Sequence, residues 1–380
     1  MQPRRRTTTA ATILRSVLDN GPVARSTIAR LTGLSAAAVT KQYAELADLG
    51  LLREVEEARV PRVTVGRPHV PVDIDVERYA VCGVHIALTH TTLSVVDLRG
   101  RVLHQDREPH PGRSPEAVFQ GILCLLPDFL RDHLGDRSPL GIGLATGGWV
   151  DPERGVIVRH SQLGWRDVQA REALRQFGLP VHVESHSRAL ARAEQLFGDQ
   201  RSRNSMVHLF VGNVVDAAIA TAGTVHHGPR SASGDVAHLR LEGSSVECPC
   251  GRRGCFQATV SDRAVAERAA REGVIAEPSL PLLLDRARAG DGRAKGLLRE
   301  RARHVGRAVG LLLDVINPDV LVLTEAGVVH LPECLDVVRA QVGDRAGSVV
   351  PTSFGRDVLS VAAGSVVLDA IYGSPLDRCA

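Results

Sequence analysis

His238-x9-Cys248-Pro249-Cys250-Gly251-Arg252-Arg253-Gly254-Cys255 is the stretch on which the fold is read. It brings three thiols and one imidazole into a short loop interrupted by glycines. Thiolates and imidazole suit Zn²⁺, and the glycines let the chain turn back around a small ion. Four side chains fill the four positions of a tetrahedral site, so none is left open for a substrate. The spacing therefore predicts a structural zinc at His238, Cys248, Cys250 and Cys255 and not a catalytic one. The other cysteines, Cys82, Cys124, Cys334 and Cys379, are scattered. That usage argues against a disulfide framework and fits a reducing compartment.

Outward from this loop, the 380 residues suffice for two or three domains, each with its own core. No apolar run approaches the ~18–20 residues of a membrane span. The basic start Met1-Gln2-Pro3-Arg4-Arg5-Arg6 is not followed by an apolar segment. A cytoplasmic protein without a membrane partner is expected. Lys41 and Lys295 are the only lysines among the basic residues. The net charge of +3 is unevenly spread: residues 1–70 hold eleven Arg or Lys against six Asp or Glu, a surplus of +5, and the remainder sums to −2. A basic head on a near-neutral body is the electrostatic footprint of a nucleic-acid-binding module joined to another function.

The periodicity of that head supports the same reading. Ile13, Leu14, Val17 and Leu18 recur at helical spacing up to Asn20-Gly21-Pro22. A second helix is predicted over 26–31 with Ser26 as N-cap, then a turn at Thr32-Gly33-Leu34. Ser35 caps a third helix running to Leu49, with Gly50 as its C′ residue. Ile28, Leu31, Leu34, Val39 and Leu46 are the expected buried face. Helix, glycine turn, helix is a helix-turn-helix, which places Ser35, Ala36, Ala37, Thr40 and Lys41 where base edges or phosphates are met. Val60 to Pro68 is turn-rich and β-prone, a wing from which Arg67 could enter a minor groove.

From Tyr79 strands and helices alternate, as expected for two α/β lobes with mixed sheets. Within this part, Leu140-Gly-Ile-Gly-Leu144, Leu163-Gly-Trp-Arg-Asp-Val168, Gly178-Leu-Pro-Val-His-Val-Glu-Ser-His186, Ser233-Gly-Asp-Val-Ala-His238 and the cysteine loop stand in order. On these segments the chain resembles the ROK family of repressors and sugar kinases, and with the head the resemblance covers nearly its whole length. It implies an α/β fold: a winged helix-turn-helix (1–70) joined to a two-lobed, actin-like and ribonuclease-H-like ROK domain with a structural zinc site. Lobe 1 is expected at 71–190, completed by the C-terminal helix at 360–380, and lobe 2 with the zinc loop at 191–359.

Three departures from the family pattern argue against phosphoryl transfer. Kinases of the family carry a glycine-rich phosphate loop where His85-Ile-Ala-Leu-Thr89 stands here, and glycines are what let backbone N–H groups approach phosphate. A second glycine loop is replaced by Gly212-Asn-Val-Val-Asp216, and the Asn-Asp that supplies the catalytic base by Ser185-His186. No ATP, no catalytic residue and no enzyme activity are expected. The resemblance places the ligand against Ser185, His186, Asp235, His238 and Gln257, with His238 bridging zinc and sugar. Because Asp235, Ala237 and Gln257 differ from the family's residues, the expected ligand is a carbohydrate or related metabolite other than glucose or an N-acetylhexosamine, larger or anionic given His85 and His186. The resulting expectation is a transcriptional regulator, a repressor more than an activator, binding a pseudo-palindromic operator on double-stranded DNA as a homodimer or homotetramer. The alternatives are a divergent sugar kinase and a DNA-binding protein with a vestigial cleft.

Overall fold

Thr8 accepts a hydrogen bond from Ala11 N and opens α1 (Thr9–Asn20), whose Ile13, Leu14, Val17 and Leu18 form the buried stripe that the spacing demands. The computed structural model, which describes residues 8–55 and 70–378, continues with β1 (Val23–Ala24), α2 (Arg25–Thr32) and α3 (Ala36–Asp48). Gly33, at φ +72°, makes the turn between α2 and α3, a conformation glycine adopts without steric cost. Ser35 caps α3 by accepting from Ala38 N at 3.2 Å, as its position predicts.

Two details of the head differ from the sequence reading. Helix α2 begins at Arg25 with Ala24 at the N-cap and no side-chain cap, so Ser26 lies inside the first turn. Leu31 is 48% exposed and Leu34 half-buried: two-turn α2 buries Ile28 alone, and Leu31 falls on its solvent side. Strands β2 (Leu52–Glu54) and β3 (Pro71–Ile74) pair antiparallel, and β3 also pairs with β1. The stretch expected to form the wing, with Arg67 in it, lies outside the described residues, save that β2 and β3 flank it.

The next elements are β4 (Tyr79–Ile86), β5 (His90–Asp97), β6 (Val102–Pro109), α4 (Pro115–His133), β7 (Ser138–Thr146), β8 (Trp149–Asp151), β9 (Val156–His160), β10 (Trp165–Val168), α5 (Ala170–Ala173), β11 (Val181–Ser185) and α6 (His186–Phe197). They build a sheet of order β11-β7-β4-β5-β6 and a small antiparallel β8-β9-β10 flap. Strand β6 is not foreseen from sequence; as an edge strand it leaves His104 to Arg107 exposed and shows no apolar alternation. Residues 168–177 form the end of β10, α5 and a single 3-10 turn.

The second lobe runs through β12 (Met206–Val211), β13 (Val215–Thr221), β14 (Thr224–Val225), α7 (Phe256–Val260), α8 (Asp262–Arg271), α9 (Leu280–Arg288), α10 (Gly292–Ile316), β15 (Val320–Glu325), α11 (Ala326–His330), α12 (Pro332–Arg339) and β16 (Val349–Pro351). Its sheet has the order β14-β13-β12-β15-β16. Helix α13 (Val358–Gly373) then returns to the first sheet, followed by α14 (Pro375–Arg378). The return is close: a Cβ at Gly143 of β7 would sit 2.0 Å from the Ala363 carbonyl oxygen of α13. Among the described residues no helix is long and apolar enough to cross a membrane.

The head shares a core with the body. Ile13, Leu14 and Val17 of α1 lie in one buried cluster with Leu196 of α6 and Leu368, Ile371 and Tyr372 of α13. Polar ties surround it: Arg15 donates to the Gln195 carbonyl at 2.7 Å, Arg203 pairs with Asp19 at 2.8 Å, Arg99 pairs with Asp73, and Tyr79 Oη donates to the Leu49 carbonyl.

Candidate ligand cleft and metal centre

The loop from His226 to Cys255 closes over β13 by backbone pairing. Ala217 N donates to Gly234 O, Gln257 N to Ala237 O, Phe256 N to Leu239 O, and Cys248 N to Arg252 O. Gly234 is indispensable here, since a Cβ on it would lie 1.8 Å from Ala217 O. Gly251 (φ +85°) and Gly254 (φ +73°) supply the turns that bring the cysteines together.

The four predicted metal ligands converge. One donor atom from each of His238, Cys248, Cys250 and Cys255 lies within 4.8 Å of the others. Cys250 Sγ and Cys255 Sγ are 3.6 Å apart, and Cys248 Sγ and His238 Nδ1 are 3.7 Å apart. A tetrahedral ion with bonds of about 2.0–2.3 Å has ligand–ligand edges of about 3.3–3.8 Å, so donor set and spacing fit one such ion. Arg252 Nε, 3.5 Å from Cys250 Sγ, pulls that thiol down to about 6, towards the thiolate a metal needs. Cys255, which is buried, is pushed up to about 11, first by burial.

Beside this centre a cavity of about 530 Å³ opens between the lobes. Its walls include Trp149, Arg159 and His160 from the flap, Asp216 at the start of β13, and Asp235, His238 and Gln257. It shares Gln162, Cys248, Pro249 and Gln257 with a further space of about 660 Å³ on the far side of the loop, so there is room for more than a monosaccharide. Gln257 is oriented by accepting from Val215 N at 3.0 Å, and Asp235 accepts from Trp149 Nε1 at 3.3 Å. His160 is pushed down to about 4 by burial and accepts from Leu163 N, so it stands neutral.

Of the five expected ligand residues, Asp235, His238 and Gln257 are on this wall. Ser185 and His186 are not; both are buried at the junction of β11 and α6. The His186 ring lies 4.2 Å from Phe210 of the other lobe and stacks at 6.0 Å on His85. Phe210 in turn faces a separate cavity of about 440 Å³ with Asp262, Glu325 and Arg356. The ring column His85–His186–Phe210 thus occupies the junction between the lobes. Burial drives His186 well below its ordinary pKa and His85 down to about 3, so neither carries charge at neutral pH. The cleft residues that sequence reading overlooks are Trp149, whose neighbours Gly147-Gly148 gave no hint of an aromatic wall, and Asp216, noted only as a misfit in a phosphate loop.

Under the cleft, Glu184 accepts from Arg188 Nε at 2.7 Å and from Ser185 N, and meets His227 Nε2 at 3.0 Å. Burial alone would raise its carboxyl, but Arg188, His227 and Arg192 outweigh burial and hold it at about 2. Arg188 spans onward to the carbonyls of Val150 and Ser231, joining lobe 1, flap and lobe 2.

On the head, Ser35, Ala36, Ala37, Thr40 and Lys41 all lie on the exposed face of α3. Two hydroxyls are already engaged, Ser35 Oγ as the cap and Thr40 Oγ1 donating to the Ala36 carbonyl at 2.9 Å. As the cap Ser35 Oγ only accepts and keeps its O–H, so Ser35 and Lys41 are the polar donors of this set left open.

Residues 81–362 match the profile of the ROK family, and a transcriptional regulator of Mycobacterium tuberculosis is 35% identical over 97% of this chain and 86% of its own. The chain belongs to the ROK family. The N-acetylglucosamine repressor of Escherichia coli is 25% identical over 87% of this chain and 84% of its own. Among solved structures, a ROK family transcriptional regulator described as a homologue of the E. coli MLC protein superposes with a TM-score of 0.77 at 20% identity, covering 97% of both chains. A ROK glucokinase from Streptomyces griseus, solved with glucose and AMPPNP, superposes with a TM-score of 0.66 at 22% identity over 76% of this chain and 98% of its own. The ROK fold is therefore common to regulators and kinases.

Proposed function

We propose that this ROK protein is a DNA-binding transcriptional regulator, a repressor of carbohydrate-related genes, whose cleft senses a sugar or related metabolite and transfers no phosphoryl group. The observation that carries it is a helix, turn and helix with an exposed α3, sharing one core with a two-lobed body whose lobe junction is packed by the rings of His85, His186 and Phe210. The names of its relatives, a regulator and a repressor, support the same reading.

In this reading residues 1–70 are the winged head, with Ser35, Ala36, Ala37, Thr40, Lys41 and Arg67 towards DNA. Residues 71–190 with 360–380 form lobe 1, and 191–359 lobe 2. Zinc held by His238, Cys248, Cys250 and Cys255 fixes the loop that presents Asp235, His238 and Gln257 to the ligand. Ligand shifts the lobes and so α1, and it changes DNA affinity only through its differential affinity for the two arrangements. A homodimer or homotetramer places two heads on half-sites about 10 bp, or a multiple, apart. The test is footprinting on the gene's own upstream DNA. Two half-sites in two-fold relation are expected, and a single asymmetric half-site contradicts the dimeric part. A coupled assay showing ADP formation with any hexose would contradict the non-enzymatic part.

A further inference from the structure

The anionic ligand expected from His85 and His186 loses its basis once both rings lie off the cleft wall. What stands on the wall instead is a pair of carboxylates, Asp216 and Asp235. We propose that Asp216 is the residue that selects the ligand, and that the class it selects is a polyol bearing neither phosphate nor carboxylate. This rests on the reading of the cleft as a sensor.

Asp216 is the second residue of β13, and the neighbouring Val215 N is pinned by Gln257 Oε1. Its Oδ1 accepts from the backbone N of Ala217 at 2.9 Å and its Oδ2 from Ser187 Oγ at 2.8 Å. Each carboxylate oxygen has a second acceptor direction, so the group is oriented by the protein and still offers one position on each oxygen. Two acceptors a carboxylate-width apart match the O–H donors of a vicinal diol. Asp235, tied to Trp149 Nε1, adds a further acceptor, and Trp149 adds a flat apolar face against which the C–H side of a pyranose can lie.

Charge points the same way. The cationic member of the wall, Arg159, lies over the Trp149 ring at 5.7 Å, and His160 is neutral. A phosphate or carboxylate entering the cleft therefore meets two acids. Asp216 faces Ser187 and Arg188 from α6, Asp235 from the loop after β14 and Ala217 N of its own strand. Burial, the largest influence, and the charge of Asp235 outweigh the hydrogen bonds and Arg188, raising its carboxyl to about 7. Its acceptor capacity is thus greatest just above neutral pH.

The chain has two tryptophans, and Trp165 is 3% exposed, so fluorescence change on ligand addition reports chiefly on Trp149. The experiment titrates the full-length, zinc-loaded protein with glucose, xylose, N-acetylglucosamine, glucosamine, glucose 6-phosphate and gluconate at pH about 6 and about 8. At least one uncharged sugar is expected to bind, at least about ten-fold more tightly than glucose 6-phosphate or gluconate. Asp216→Asn, with unchanged zinc content and melting temperature, is expected to weaken binding about ten-fold, the loss of one or two charge-assisted hydrogen bonds. Wild-type affinity is expected to be several-fold higher at pH about 8 than at about 6, a difference absent from Asp216→Asn. Tighter binding of the phosphate or carboxylate form, or equal affinity in a folded Asp216→Asn, overturns the inference while leaving the sensor reading intact. Should that variant not fold, the comparison of charged and uncharged probes on the wild type still decides. Silence of the wild type across all six probes overturns the sensor reading and this inference together.

Discussion

Arg15 in the first helix of the head donates through Nη2 to the Gln195 carbonyl, 2.7 Å away, in the last turn of the helix whose first turn carries Ser187, the partner of Asp216. One helix, α6, therefore touches the ligand cleft at its beginning and the DNA-binding head at its end. The contact also sits beside the Asp19–Arg203 pair and the shared apolar core, so displacement of α6 relative to α13 has to be absorbed by α1.

Loosening that clasp is predicted to loosen the head. Arg15→Ala removes a hydrogen bond worth about 1 kcal/mol and leaves the Gln195 carbonyl to solvent. The expected result is a small drop in melting temperature with faster amide exchange over residues 9–20. Exchange unchanged in α1 would show that the apolar core alone fixes the head.

Removal of one thiol is predicted to disorganise the cleft loop. Cys250→Ala should reduce bound zinc from about one per chain to near zero, because three-ligand sites lose affinity steeply. Limited proteolysis should then cut within residues 238–255, and DNA binding should weaken with it. Full zinc content in the variant would contradict the assignment of the four ligands.

Acid is predicted to destabilise the protein in two stages. His85 and His208, pushed down to about 3 chiefly by burial, and His160, at about 4, are neutral in the fold, whereas unfolded rings take up protons below about 6.5. Stability should therefore fall from pH 6.5 downward. The carboxyl of Glu184 is depressed from 4.5 to about 2, so its contribution is complete above pH 4.5 and is lost as pH falls from there towards 2. Melting temperature against pH measures both stages. Glu184→Gln should cost about 3–5 kcal/mol at neutral pH, since buried Arg188 then loses its partner.

Neither ring nitrogen of His85 has a hydrogen-bond partner among the described residues. Replacing a buried, unpaired polar ring by an apolar side chain of similar volume removes a penalty of about 1–3 kcal/mol. His85→Leu should therefore raise the melting temperature and flatten the decline between pH 6.5 and 4. A lower melting temperature at neutral pH would mean the ring has a partner.

Much of this was legible in the sequence, and what escaped did so for identifiable reasons. The convergence of His238, Cys248, Cys250 and Cys255 and the cap at Ser35 are local patterns, in which spacing alone determines which atoms meet. Leu31 misled because helical spacing shows which side chains share a face but not how far the neighbouring helices cover it. His186 misled because its burial depends on Phe210 from the opposite lobe, and Asp216 and Trp149 went unassigned because the cleft is assembled from four separate chain segments. Contacts between lobes leave no periodicity to read.

The most direct measurement is binding of the upstream DNA by wild type and Ala37→Glu in parallel. Ala37 is exposed in the first turn of α3, where a glutamate suits the helix dipole and preserves the fold. There it also sets a negative charge against the DNA. The account predicts specific wild-type binding, on the order of 10⁻⁸ M or tighter at physiological salt, that is lost in Ala37→Glu with an unchanged melting temperature. Equal affinity of the two proteins, or no sequence preference in the wild type, would contradict it.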